Sequence, residues 1–131
     1  MEYNRRKYHN VPACRTVNGR EIKFDSKREA SRYDDLMLLL RAGKIRSLKL
    51  QPEYTLQEAF TTPEGDRVRA VRYRADFAYE KLERNRYEDY DGPEYIDEWV
   101  PVIEDVKGVR TRPYLLKKKM MAEKGYTVRE V

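Results

Sequence analysis

Apolar positions along the chain change period several times, and each change marks an element. Cys14 to Phe24 alternates weakly around Asn18-Gly19. Asn-Gly between alternating runs predicts a hairpin, because both central turn positions need positive φ. From Ala30 the period lengthens: Ala30, Tyr33, Met37 and Leu40 recur at helical spacing with Leu36 alongside. Ser26 and Glu29 stand where a capping box would start this helix, and Gly43 stands just past its end. Ile45 to Leu56 reads as a strand region that is bent or at a sheet edge at Gln51-Pro52, since Pro lacks a ladder donor. After a turn at Thr62–Asp66, Val68 to Glu80 reads as one long strand. Its alternation assigns Val71, Tyr73, Ala75, Phe77 and Tyr79 to one face, and Arg72, Arg74, Asp76 and Ala78 to the other.

Residues 80–98 carry few apolar positions and are predicted to form a protruding loop or extended hairpin turning at Asp91-Gly92-Pro93. Trp99 to Gly108 follows as a strand in which Ile103, Asp105 and Lys107 share one face and Val102, Glu104 and Val106 the other. Thr111-Arg112-Pro113 then starts a second helix that Gly125 ends, with Leu115, Leu116, Met120 and Met121 expected to be buried. Tyr126 to Val131 is a last strand. A ribbon, then helix, three strands, helix and strand, predicts an α/β domain with a mixed sheet. The expected organisation is an N-terminal arm over 1–13 and one domain over 14–131, with an acidic insertion at 80–98.

Composition sharpens this outline. The 131 residues carry 39% charged side chains and a net charge of +5. Segment 80–98 alone holds eight acidic and three basic residues, a net −5, so the remainder carries +10. A basic body points to a nucleic-acid partner, while the acidic segment would repel a duplex and is expected to lie away from it or mimic it. Arg5, Arg6 and Lys7, interleaved with Tyr3 and Tyr8, suit phosphate contact and base stacking, or simply a solubilising tail. A single cysteine, Cys14, excludes an intrachain disulfide framework, and the lone His9 has no neighbouring ligands. No apolar run is long enough for a membrane span and no signal-peptide core is present, so a cytoplasmic protein without a membrane partner is expected.

Three [D/E]-x-K triplets occur: Glu21-Ile22-Lys23, Asp25-Ser26-Lys27 and Asp105-Val106-Lys107. A salt bridge on a solvated face is the bland explanation of each. Only the third follows another strand with an acid, Asp76. Paired strands set same-face side chains about 5 Å apart. Two carboxylates at such range repel unless a proton or cation separates them. A hard cation such as Mg²⁺ would suit those oxygens together with the Val106 carbonyl.

Here the chain resembles the PD-(D/E)xK nuclease superfamily, in its small phage-type, Holliday-junction-resolvase-like branch. The resemblance runs from Ser26 to Val131 and is carried by Phe24-Asp25-Ser26-Lys27-Arg28-Glu29-Ala30, Leu50-Gln51-Pro52, Ala75-Asp76-Phe77 and Glu104-Asp105-Val106-Lys107-Gly108. Ala75 replaces the motif's proline, and Asp105 is one methylene shorter than the commoner Glu. The resemblance implies a restriction-endonuclease-like αβββαβ core and metal-dependent endonucleolytic hydrolysis of phage or prophage DNA, on branched or flapped substrates. It implies Asp76, Asp105, the Val106 carbonyl and Glu29 as holders of Mg²⁺, with Mn²⁺ as substitute, and Lys107 as the amine that positions or deprotonates the attacking water. Glu29 has two readings, metal ligand or capping-box residue. Gln51 and one of Lys117 or Lys118 are weaker candidates for phosphate contact. DNA is the implied partner, a second copy of the chain is a candidate, and no organic cofactor is called for. The competing functional readings are a non-catalytic nucleic-acid-binding module of the same fold and an accessory protein acting through its acidic segment.

Overall fold

A computed structural model describes residues 11–106 and 110–131. The hairpin is present: β1 (Ala13–Val17) pairs antiparallel with β2 (Arg20–Phe24), and Asn18 and Gly19 both take positive φ, 51° and 77°. Helix α1 (Lys27–Arg41) begins at Ser26, whose Oγ accepts from the Glu29 N–H at 3.1 Å. Gly43, at φ 72°, supplies the left-handed residue past its end.

The region read as two strands, 45–56 and 68–80, is a single antiparallel excursion broken twice. Strand β3 (Ile45–Leu50) pairs with β8 (Phe77–Asp89), β4 (Glu53–Gln57) with β7 (Val71–Arg74), and β5 (Phe60–Thr61) with β6 (Arg67–Val68). Both arms bend at one level. Gln51 is left-handed at φ 50° and donates to the Asp76 carbonyl, and Ala75 donates to the Pro52 carbonyl. The bend at Gln51-Pro52 is as expected. The continuous strand over 68–80 is not, because Asp76 sits at the break rather than mid-strand. The break also undoes the single face drawn through it. Tyr73 and Ala75 enter one core cluster and Phe77 and Tyr79 the other.

The acidic segment is an extended hairpin. Strand β8 runs against β9 (Gly92–Asp105) from Phe77↔Glu104 out to Asp89↔Gly92, leaving Tyr90-Asp91 as the loop. Only its base belongs to the four-stranded sheet, ordered β10-β9-β8-β3, where β10 (Val128–Glu130) lies parallel to β9 and the other neighbours are antiparallel. The fold is therefore α/β with a mixed sheet and two helices.

Helix α1 and the first hairpin cover one face, burying Phe24, Ala30, Tyr33 and Leu36 against Ile45, Phe77 and Tyr79. Helix α2 (Arg112–Glu123) covers the other, with Tyr114 and Met121 against Ile103, Val128, Tyr73 and Leu56. The α2 stripe differs from expectation: Met121 is buried and Met120 partly so, but Leu115 and Leu116 are exposed. Tyr114 and Met121 stand seven positions apart on one helix face, and that face takes Lys117 and Lys118 between them instead of the leucines. No described helix is long and apolar enough to cross a membrane.

Candidate functional site

The two chain breaks and the end of β9 meet at one edge of the sheet. The Asp76 N–H donates to the Glu104 carbonyl at 3.1 Å, and its Oδ2 accepts from the Val106 N–H at 2.7 Å. Asp76 thus brackets Asp105 from the neighbouring strand. On its other side Asp76 holds Gln51 through its carbonyl at 2.9 Å. The Asp105 carbonyl in turn accepts from the Val131 N–H at 2.9 Å, tying the C-terminal strand to the same level.

Helix α1 adds Glu29 from its first turn. Glu29 is 4% exposed, and its Oε1 has no hydrogen-bond partner among the described residues. Burial first, then the charges of Asp76 and Asp25, push its carboxyl up to about 7, against smaller opposing help from the Gln51 side chain and the Asp25 backbone. Both sequence readings of Glu29 bear on this position. Its N–H receives the Ser26 cap, and its carboxylate shares an electrostatic neighbourhood with Asp76.

Asp105 is 1% exposed, and its Oδ2 accepts a hydrogen bond from the Tyr73 hydroxyl. Tyr73 reaches it from the face covered by α2. Glu104, the adjacent residue, points the opposite way, as strand parity requires. It is completely buried and takes Arg32 in a two-point bond, Nε at 2.8 Å and Nη2 at 2.7 Å, with the Tyr79 hydroxyl as a third donor. Burial alone would raise the Glu104 carboxyl, but Arg32 and Tyr79 outweigh it and hold the group below its ordinary value. Burial, and next the bond to Glu104, raise the Tyr79 hydroxyl to about 12 against the opposing charge of Arg32. Glu104 is thereby a fully satisfied structural ion.

The expected set is brought together in part. Glu29, Gln51, Asp76 and Asp105 converge on one sheet edge from α1, the end of β3, the β7–β8 break and the end of β9. Lys107, Arg5, Arg6 and Lys7 lie outside the described residues. Of the two candidate lysines on α2, Lys118 is engaged by Glu130 at 3.0 Å, whereas Lys117 lines an open cleft. Among the described residues, no three Asp, Glu, His or Cys side chains form a group that could hold a metal ion. What they bring together is the Glu29–Asp76 pair, with Asp105 next along the sheet and oriented by Tyr73. In donor type these groups suit a hard, oxygen-seeking cation, and the partnerless Glu29 oxygen is the atom such an ion would satisfy. Three participants were missed from sequence. Tyr73 and Tyr79 are assigned only to a strand face, and Arg32 draws no reading; nothing local marks their long-range partners.

A family model described as Protein of unknown function (DUF1064) matches residues 5–131, and the chain belongs to that family. No curated protein and no solved structure matches the chain.

Proposed function

We propose that this family member is a metal-dependent nuclease that hydrolyses DNA phosphodiester bonds at the edge holding Glu29, Asp76 and Asp105. The observation that carries the reading is the Glu29 carboxylate, which is buried, lacks a partner at one oxygen among the described residues and is pushed up to about 7 by burial and by Asp76. A structural acid in that position would ordinarily be paired, as Glu104 is a short way off. An acid kept for a ligand is left as Glu29 is. The resemblance to PD-(D/E)xK nucleases over the same residues agrees with this.

Each residue then has a task set by its surroundings. Asp76 is oriented by the Val106 N–H and Asp105 by the Tyr73 hydroxyl, so both carboxylates are held before any substrate arrives. The Glu29–Asp76 pair would hold Mg²⁺ or Mn²⁺, and the resemblance adds Asp105 and the Val106 carbonyl to it. Such an ion lowers the pKa of a bound water and neutralises charge developing on a phosphate. Lys107, two residues past Asp105, is assigned the attacking water, and the Gln51 side chain helps hold the Glu29 carboxylate in its charged form.

A second reading, a binding module of the same fold without cleavage, is favoured by two observations. The Asp105 carboxylate is engaged by Tyr73, and the described residues gather no group of three metal-ligating side chains. The two readings separate in a cleavage panel of linear, flapped and four-way DNA with Mg²⁺, Mn²⁺ or chelator. Nicking or cutting that depends on the divalent ion supports the nuclease. Salt-sensitive binding with no cleavage of any substrate under either ion supports the binding module and refutes the nuclease.

A further inference from the structure

Five arginines among the described residues are neutralised by an acid. Arg15 bonds Asp34 at 2.9 Å, Arg32 bonds Glu104, Arg46 bonds Glu80 at 3.2 Å, Arg86 bonds Glu88 at 2.8 Å and Arg110 bonds Glu130 at 3.2 Å. Arg72 and Arg74 on β7 are not among them, and what sets them apart is the cleft they share. Neither makes an ion pair or side-chain hydrogen bond among the described residues, and both are exposed. They line a cleft of about 330 Å³ between β7 and the start of α2, and Lys117, equally without an ion-pair partner, lines it from the helix. Glu53, which stands opposite Arg74 in the β4–β7 register, is the one acid lining it.

Three cations collected around one cleft with a single acid repel each other, and a solvated surface has no reason to gather them. An anion of extended shape relieves that repulsion. The cleft also leads to the acid edge, because Tyr73 lines it and the same Tyr73 hydroxyl donates to Asp105.

We infer that the β7–α2 cleft is a phosphate-backbone subsite, in which Arg72, Arg74 and Lys117 hold nucleic-acid phosphates beside the scissile one. The inference rests on the nucleic-acid reading of the neighbouring acids and adds where the strand lies. It also selects between the two α2 lysines: Lys117 meets phosphate, and Lys118 is occupied by Glu130. Phosphate contacts of this kind position a strand without reading its sequence.

The test is the salt dependence of binding, measured by fluorescence anisotropy on labelled duplex and single-stranded DNA with the full chain. Each phosphate contact removed lowers the slope of log K against log salt by about 1. Arg72→Ala/Arg74→Ala/Lys117→Ala is expected to lower that slope by about 2 to 3. Lys119→Ala/Lys124→Ala, which removes two exposed charges elsewhere on or beside α2, is expected to lower it by less than 1. Arg72→Lys/Arg74→Lys keeps the charge and is expected to keep the slope, which a merely structural role for the arginines would not require. Equal slopes for the cleft variant and the α2 control, in a protein that cleaves DNA, would overturn the subsite and leave the nuclease standing. A cleft-dependent slope in a protein that never cleaves would support the subsite and refute the nuclease. Absence of DNA binding in the unmodified protein would overturn both.

Discussion

Glu29→Gln isolates the buried acid whose Oε1 has no partner among the described residues. The substitution preserves shape and removes the ability to ionise. In the folded chain the Glu29 carboxyl sits at about 7, against 4.5 for the unperturbed group. Folding therefore favours its protonated form: stability is fully present below the unfolded value and is lost as pH rises through the folded one. A displacement of about 2.5 units corresponds to about 3 kcal/mol at most, reached above pH 7 and vanishing below pH 4.5. Gln does not incur that loss. The variant should match the wild type at pH 4.5–5 and exceed it at pH 8 by up to about 3 kcal/mol, or roughly 10 °C in Tm for a chain of this size. Thermal melts at both pH values in chelator give the comparison. Adding Mg²⁺ at pH 8 should then narrow the gap, because an ion held by the ionised Glu29 stabilises only the wild type. A variant that melts at or below the wild type at pH 8, or a difference independent of pH, would refute the claim that Glu29 is a strained, ligand-seeking acid.

Further outcomes follow from the same contacts. Arg32→Ala strips the buried Glu104 of its two-point partner and should cost about 3–5 kcal/mol in urea unfolding, the size expected for one half of a buried ion pair. Ser26→Ala removes the acceptor for the Glu29 N–H and should cost about 1 kcal/mol by the same measurement. Leu116→Glu, on the face of α2 turned to solvent, should change stability by less than about 0.5 kcal/mol, although its spacing on the helix suggested a core residue.

What could be read from sequence and what could not divides along the range of the interaction. Asn18-Gly19, the Ser26 cap and Gly43 act through neighbouring backbone, so local chemistry was enough to place the hairpin and both ends of α1. The pairing of β8 with β9 and the extended form of the acidic segment followed from chain order, since strands joined directly tend to neighbour. The break at Asp76 was hidden because alternation is equally well satisfied by one strand in one sheet or by two strands in different ones. Pro52 announced the bend on one arm, and nothing on the other arm echoed it. On α2, Leu115 and Leu116 outrank Tyr114 in hydrophobicity, yet Tyr114 is buried with its hydroxyl donating to Glu130 at 2.8 Å. At the site, parity alone separated Glu104 from Asp105, and the structure agrees. The partners that give each acid its character, Arg32 and Tyr79 for one and Tyr73 for the other, come from elements 72, 25 and 32 residues away. Only the assembled sheet brings them in.

Cleavage by Asp105→Asn tests the central claim most directly. On the DNA substrate that the wild type cuts best with Mg²⁺ or Mn²⁺, the variant should lose cleavage by at least two orders of magnitude, in line with removal of a group that supports the transition state. It should bind the same DNA with unchanged affinity. Cleavage by the variant at the wild-type rate would contradict the account.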